Sequence, residues 1–128
     1  RAVLAAIAPV VVITNGFAEV QRTRFAASGL NEFVSDLFIS EEVGANKPDP
    51  AFFTHVLSRL GNPDPAQCLV IGDSLTSDIA GGNAAGMDTV WFDRSEMIGE
   101  PAPVGAGTHP ATYRITRLVE LKRIILGE

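Results

Sequence analysis

The chain has 128 residues, 46% of them hydrophobic and 20% charged, and its formal net charge is −5 at pH 7. This length predicts one domain, residues 1–128, with a buried core. The acidic balance argues against binding to a nucleic acid polymer, and no apolar stretch approaches the roughly 20 residues of a membrane span. Cys68 is the only cysteine, so a disulfide framework is excluded and a cytoplasmic protein is predicted.

Short aliphatic runs alternate with amphipathic stretches, the pattern of a parallel α/β sheet covered by helices on both faces. Strands are predicted, in chain order, over residues 10–13, 37–40, 68–71, 89–92 and, at an edge, 113–115. Helices are predicted over residues 17–28, from Asp49 to residue 60, through Ile79 and Ala84 to Gly86, and over 116–126. The predicted fold class is therefore α/β, a three-layer Rossmann-like parallel sheet.

The C-terminal third of the chain gives two further predictions. Residues 94–112 are rich in Gly and Pro and have no period, which predicts a long surface loop. The last helix, residues 116–126, is expected to be buried through Leu118, Leu121 and Ile125.

Three polar clusters lie at or just beyond predicted strand ends: Thr14-Asn15-Gly16, Lys47, and Asp73 with Asp78. In an open parallel sheet, ligands bind at the carboxyl ends of the strands. A hydroxyl and turn amides can donate to phosphate oxygens, a lysine can offset their charge, and carboxylates can hold Mg²⁺. The set predicts a site for a phosphate and a hard divalent cation.

Each cluster also has a purely structural explanation. Thr14-Asn15-Gly16 could be only a turn after a strand, and Lys47 could be a solvated loop lysine. Asp73 could cap the following helix, while Asp78 could face water near its first turn. The functional interpretation is favoured because all three clusters occur in the order expected of one α/β site.

The same residues resemble the motifs of the haloacid dehalogenase-like (HAD) hydrolases. Ile13-Thr14-Asn15-Gly16 is similar to the second motif, and Lys47-Pro48-Asp49-Pro50 followed by Phe53 is similar to the third, the lysine motif. Gly72-Asp73-Ser74-Leu75-Thr76-Ser77-Asp78 resembles the fourth, GDxxxxD. The similarity runs from about Ala2 to Leu126. Residues 39–44 and 61–64 are most similar to the pyrimidine 5′-nucleotidase branch.

The resemblance implies a Mg²⁺-dependent phosphomonoesterase that acts on a small phosphorylated metabolite, for instance a nucleoside 5′-monophosphate, through an aspartyl-phosphate. It implies that Thr14 binds phosphoryl oxygens with help from the amides of Asn15 and Gly16. Lys47 and Asp73 would be catalytic: Lys47 would neutralise charge on the nucleophile and phosphate, and Asp73 would ligate Mg²⁺. Asp78 would support the metal site.

The DxD motif that carries the family's nucleophile is absent from this sequence. In the HAD family, which the chain resembles, the first strand, this motif and usually a helical cap domain precede the second motif. We therefore expect the chain to be the C-terminal part of a HAD core, inactive alone and without the cap that selects the substrate. The strands that end at Thr14 and near Asp73 would then expose edges that invite association, and we expect them to pair directly if the protein truly begins at Arg1.

Two other classes of protein stay open at this point. One is a non-catalytic phosphate- or Mg²⁺-binding module. The other is a receiver-like signalling domain, although Gly72-Asp73-Ser74 and the upstream Lys47 fit a hydrolase better. The hypothesis of a nucleotide-binding Rossmann domain is weaker still, because no GxGxxG motif or P-loop follows a predicted strand.

Overall fold

The structure, a computed structural model, describes residues 9–29, 32, 34–99 and 109–126. The chain divides into two compact units, Arg1–Lys47 and Pro48–Glu128. The prediction of one domain over residues 1–128 stays a prediction. Within the described ranges, no helix is both long enough and apolar enough to cross a membrane.

The first unit is a β-α-β arrangement. β1 (Val11–Thr14) and β2 (Asp36–Ile39) are parallel, and Thr14 lies opposite Ile39 at the end of the ladder. Parallel strands need a crossover, which α1 (Ala18–Ser28) supplies. Because both strands end at the same ladder position, the residues that follow them meet at one edge of the sheet.

Burial in the first unit is concentrated in β2. Leu37, Phe38 and Ile39 are at most 7% exposed, as expected for an apolar run in a parallel sheet. The predicted helix over residues 17–28 is confirmed as α1, with Phe17 as the residue before it and Gly29 ending it in the left-handed conformation. None of the residues of α1 is buried.

The second unit contains a three-stranded parallel sheet in the order β3-β4-β5. The strands are β3 (Leu69–Gly72), β4 (Asp88–Phe92) and β5 (Tyr113–Ile115). Their positions agree with the predicted strands to within one residue. β5 lies at the edge of this sheet, as its sequence predicts.

The helices α3 (Pro50–Arg59) and α4 (Ala80–Ala84) of the second unit pack closely on each other because a glycine lies at their contact. Helix α3 begins as predicted at Asp49, whose side chain accepts a hydrogen bond from Ala51 N. Phe52, Phe53 and Val56 of α3 are buried. A Cβ on Gly81, in α4, would lie 2.6 Å from Phe53 Cζ. Only glycine therefore lets α4 approach α3 this closely.

Three helices and three helical turns complete the described elements of both units. The helices are α2 (Ser40–Val43), which follows β2, α5 (Ser95–Ile98) and α6 (Leu121–Leu126), the last helix. The turns are Pro65–Gln67, the π-helical Leu75–Ile79 and Leu118–Glu120.

Two predictions are corrected by the structure, and the direct pairing of β1 and β3, which belong to different units, stays a prediction. The predicted loop over residues 94–112 contains α5, and residues 100–108 lie outside the described residues. The predicted helix over residues 116–126 is split, and Leu118 is 58% exposed because it belongs to the turn that precedes α6.

Candidate functional site

The loop after β1 is held by hydrogen bonds to the carbonyl of Asn15. The Thr14 hydroxyl donates to this carbonyl at 3.3 Å, and Gln21 Nε2 from α1 donates to it at the same distance. Thr14 is half-buried at the end of β1. The predicted phosphate-binding hydroxyl thus lies at the carboxyl edge of a parallel strand, where ligands of α/β folds bind.

The Asn15 side chain joins this loop to Lys47. Its Oδ1 accepts a hydrogen bond from Lys47 N at 2.8 Å, and its Nδ2 donates to Lys47 O at 3.1 Å. Both polar ends of the amide are therefore used to hold the backbone of the lysine. The Lys47 ammonium Nζ donates to Ile13 O at 3.4 Å. The predicted lysine and the predicted threonine are brought together at the end of β1.

Gly16 is held by Ser40, the first residue after β2. Gly16 N donates to Ser40 Oγ at 2.8 Å, and Ser40 Oγ donates to Gly16 O at 3.3 Å. Gly16 has a φ of 145°, a value that L-residues rarely adopt, and a Cβ there would lie 2.7 Å from Gln21 Nε2. The Gly16 amide already has a partner, so its predicted donation to phosphate, which stays a prediction, would require that bond to be shared or replaced.

An open pocket of about 410 Å³ lies beside this loop. Its lining residues come from the two segments that follow β1 and β2: Gly16, Phe17, Ser40, Glu41, Gly44, Ala45 and Asn46. The Glu41 carboxylate accepts a hydrogen bond from Ala18 N at the start of α1. This contact satisfies an end amide of the helix and holds one wall of the pocket.

In the second unit, Asp73 follows β3 and its side chain is 54% exposed. Its Oδ2 accepts a hydrogen bond from Arg94 Nη1 at 3.3 Å, and its backbone carbonyl accepts one from Trp91 Nε1 at 3.3 Å. Trp91 packs with Leu75 and Ile79 in a buried cluster. The core of the unit thus fixes the Asp73 backbone, while the carboxylate faces solvent.

Asp78 is buried against the backbone of Gly72. It is 7% exposed, and its Oδ2 accepts a hydrogen bond from Ser74 N at 3.4 Å. A Cβ on Gly72 would lie 2.6 Å from the Asp78 Cβ, so glycine is required. The helical turn is capped by Ser74, which accepts from Ser77 N. The two structural explanations considered for these aspartates, a cap at Asp73 and a solvated Asp78, are therefore wrong.

The donor set of Asp73 and Asp78 suits a hard cation. Both supply carboxylate oxygens, the ligand type that Mg²⁺ prefers, and the exposed Asp73 leaves room for the waters that Mg²⁺ retains. The missing side chain of Gly72 lets the Asp78 carboxylate lie against the backbone of the residue that precedes Asp73. Among the described residues no group of three or more His, Cys, Asp or Glu side chains could hold a metal, and the metal role of Asp73 and Asp78 stays a prediction.

A third aspartate, Asp93, follows β4 and is 2% exposed. Arg114 donates to its Oδ2 from Nε at 3.0 Å and from Nη2 at 2.6 Å, and Ser95 N donates to Oδ1. Burial acts to raise the pKa of the Asp93 carboxyl, but the hydrogen bonds from Ser95 and Arg114 outweigh it and leave the pKa lowered. Asp93 is therefore an ionised, structurally paired group.

Comparison with known proteins decides the family. Residues 2–86, well over half of the chain, match the family described as haloacid dehalogenase-like hydrolase. The chain belongs to the haloacid dehalogenase-like hydrolases. The resemblance drawn from the three motifs is thereby confirmed, and the matched segment contains all six predicted site residues.

Relatives of this HAD chain cover most of its length. The HAD-hydrolase YfnB of Bacillus subtilis is 39% identical over 116 residues, 89% of this chain and 46% of YfnB. The pyrimidine 5′-nucleotidase YjjG of Escherichia coli is 37% identical over 114 residues, 89% of this chain and 48% of YjjG. The chain thus spans about half the length of these curated relatives.

A solved structure confirms the α/β, Rossmann-like fold class. The crystal structure of YfnB bound to magnesium matches with a TM-score of 0.82 and 36% sequence identity, and the match covers 94% of this chain and 50% of that chain. The individual roles predicted for Thr14, Asn15, Gly16, Lys47, Asp73 and Asp78 stay predictions.

Sequence reasoning missed two residues that hold the loop after β1, namely Ser40 in α2 and Gln21 in α1. Ser40 was predicted as the last residue of a strand, yet it is a polar residue that ends the apolar run Leu37-Phe38-Ile39. This is the same signal that identified Thr14, so it could have been found. Gln21 carries no comparable signal, because a glutamine on an exposed helix is ordinary.

Proposed function

We propose that this HAD chain forms the phosphate- and metal-binding part of a Mg²⁺-dependent phosphomonoesterase. The observation that carries the proposal is the joining of two motifs at the end of β1. The Asn15 amide holds the Lys47 backbone through bonds of 2.8 and 3.1 Å, beside the Thr14 hydroxyl. A hydroxyl donor and a cation at one sheet edge are the groups that bind a dianionic phosphate.

In the proposed reaction Thr14 and Lys47 both stabilise the negative charge of the phosphoryl group. The Thr14 hydroxyl donates to a phosphoryl oxygen, and the Lys47 ammonium offsets the negative charge of the phosphoryl group as it transfers. Because the Lys47 backbone is already held by Asn15, little reorganisation is needed when the phosphate binds. Preorganised charge of this kind is worth most in a site from which water is excluded.

Asp73 and Asp78 are proposed to hold the metal. Mg²⁺, when bound, polarises phosphoryl oxygens and neutralises their charge. The exposed Asp73 carboxylate would be the direct ligand, and it would have to exchange its contact with Arg94 for the ion. The buried Asp78 would support the site from beneath. YfnB, whose crystal structure contains magnesium, is the relative that supports this assignment.

A small phosphorylated metabolite is the proposed substrate, and nucleoside 5′-monophosphates are the first class to test. YjjG and PynA of Streptococcus pneumoniae are both named pyrimidine 5′-nucleotidases. The latter is 42% identical over 80 residues.

We also propose a cytoplasmic location, which fits the presence of a single thiol. Burial raises the pKa of the Cys68 thiol, and the nearby Asp64 raises it further, so the thiol is poorly reactive.

None of the aspartates of this chain is assigned as the nucleophile, because the sequence contains no DxD motif. The reaction is therefore proposed for a protein that carries this motif together with these 128 residues. The 128-residue chain by itself is proposed to bind phosphate and Mg²⁺ without turnover.

The lysine gives the sharpest test. In a protein that carries the DxD motif, Lys47→Ala should lower kcat for p-nitrophenyl phosphate and for nucleoside monophosphates by about 10²-fold or more. Lys122→Ala is the matched control, because Lys122 is the other lysine of the chain and is exposed. Equal activity of the two variants would contradict the role of Lys47, and turnover by the 128-residue chain itself would contradict the missing nucleophile.

A further inference from the structure

We propose that Ser40 is a positioning residue for the phosphate loop, acting by holding the Gly16 peptide in place. The inference rests on the proposed function, since it concerns how the loop of that site is organised. It adds a residue that lies in none of the three motifs. Ser40 belongs to α2, and its partner Gly16 follows β1, so the contact joins two segments that are 24 residues apart in sequence.

The register of the sheet produces this contact. Thr14 pairs with Ile39 as the last pair of the parallel ladder, so the next residue after β2 lies beside the loop that follows β1. Ser40 is 5% exposed. A buried hydroxyl needs hydrogen-bond partners, and here both are supplied by one residue: it accepts from Gly16 N and donates to Gly16 O.

The hydroxyl has no role in capping a helix. The residue before α2 is Ile39, and no side-chain cap hydrogen bond is present at this end. The two hydrogen bonds to Gly16 therefore account for the buried position of Ser40. They fix a peptide whose φ of 145° is one that few residues adopt, and such a conformation persists only where surrounding contacts impose it.

Fixing Gly16 also fixes the residue before it. Asn15 lies between Thr14, the proposed phosphate ligand, and Gly16, and its side chain holds Lys47. If the Gly16 peptide rotates, the Asn15 carbonyl and side chain must move with it. Ser40 and Asn15 thus act at neighbouring positions of one loop, and loss of the Ser40 hydroxyl should let the donors for phosphate spread over several conformations.

The experiment is a titration of the ¹⁵N-labelled 128-residue chain with inorganic phosphate, followed by amide chemical shifts. We expect saturable shifts at residues 14–16 and at Lys47 in the wild-type chain. Ser40→Ala should raise the Kd for phosphate about 5-fold or more, whereas Ser40→Thr, which keeps the hydroxyl, should stay within about 2-fold of wild type. Before phosphate is added, the amide chemical shift of Gly16 in Ser40→Ala should already differ from wild type, because the hydrogen bond to Ser40 Oγ is lost.

Two controls separate positioning from stability. Ser28→Ala removes an exposed hydroxyl from α1 of the same unit, and Leu37→Val trims a buried side chain of β2. Leu37→Val should lower the urea midpoint without changing the Kd for phosphate. If Ser40→Ala does not fold, Ser40→Cys takes its place, because the thiol has nearly the same shape and forms weaker hydrogen bonds.

The outcomes distinguish this inference from the function on which it rests. If the wild-type chain shows no saturable phosphate shifts, the proposed phosphate site is overturned and the role of Ser40 with it. If the wild-type chain binds phosphate and Ser40→Ala binds it equally well, only the role of Ser40 is overturned. The role of Ser40 is likewise overturned if Leu37→Val weakens phosphate binding as much as Ser40→Ala does.

Discussion

The ion pair between Arg114 and Asp93, at the end of β4, should stabilise the fold in a way that depends on pH. Arg114→Met removes the guanidinium that donates two hydrogen bonds to the buried Asp93 carboxylate, at 3.0 and 2.6 Å. The carboxylate keeps the bond from Ser95 N but loses its counter-charge. The substitution also removes the guanidinium that lies 5.7 Å from the centre of the Trp91 ring.

The expected loss follows from where the two partners lie. Removing one partner of a fully buried ion pair costs about 3–5 kcal/mol. The Asp93 side chain is 2% exposed but that of Arg114 is 55% exposed, so water can replace part of what the arginine supplies. We therefore expect a decrease of about 2–3 kcal/mol in the free energy of unfolding at pH 7, near the value for hydrogen bonds to charged groups.

The pH dependence follows from the lowered pKa of Asp93 in the folded protein. A carboxyl whose folded pKa lies below its unfolded value of about 3.9 stabilises the fold above that value. The stabilisation is lost as the pH falls through the folded pKa. The difference in unfolding free energy between wild type and Arg114→Met should therefore be largest near neutral pH and should shrink below about pH 4.

Urea denaturation, followed by circular dichroism at 222 nm between pH 3 and 7, measures both effects. Arg59→Met is the matched control, because Arg59 is exposed at the end of α3 and should change the unfolding free energy by at most about 0.5 kcal/mol. The reasoning is refuted if the two variants are equally stable at pH 7, or if the loss in Arg114→Met does not depend on pH.

Two further predictions concern the proposed site. Gly72→Ala should lower the free energy of unfolding by about 1–3 kcal/mol, because the new Cβ overlaps Asp78. The same variant should bind Mg²⁺ more weakly in calorimetry. A variant as stable as wild type would show that Asp78 moves freely. Asn15→Ala should weaken binding of inorganic phosphate at least as much as Ser40→Ala does, because it removes both bonds to the Lys47 backbone; unchanged binding would show that Lys47 does not depend on Asn15.

Most of the fold could be predicted because its signals are local. The aliphatic runs that end at Thr14 and near Gly72 predicted two strands, and the structure has β1 and β3 there. Asp49 before Pro50 predicted the start of α3, which its capping bond confirms. Each of these features depends on residues within one or two turns of each other.

The error in the last helix arose where a local side-chain interaction competes with the helix that the hydrophobic period predicts. The apolar residues from Leu118 onward have a helical period, but Leu118 is exposed, since residues 118–120 form a separate turn. The Glu120 carboxylate accepts hydrogen bonds from Thr116 N and Arg117 N there, and so replaces the helix that the period predicts. Side-chain competition of this kind has no hydrophobic signature.

In the candidate site the sequence predicted which residues take part but not what each of them contacts. The motifs predicted that Asn15 and Gly16 would lie in a phosphate loop, but they did not show what each side chain or peptide would contact. Both groups are engaged with protein partners, Lys47 and Ser40. If phosphate binds as proposed, the Thr14 hydroxyl and the Lys47 ammonium would exchange their own contacts with Asn15 O and Ile13 O for the phosphate. A loop of this kind is specific because its backbone is held in place before the ligand arrives, and the residues that hold it should be as intolerant of substitution as those that touch the phosphate.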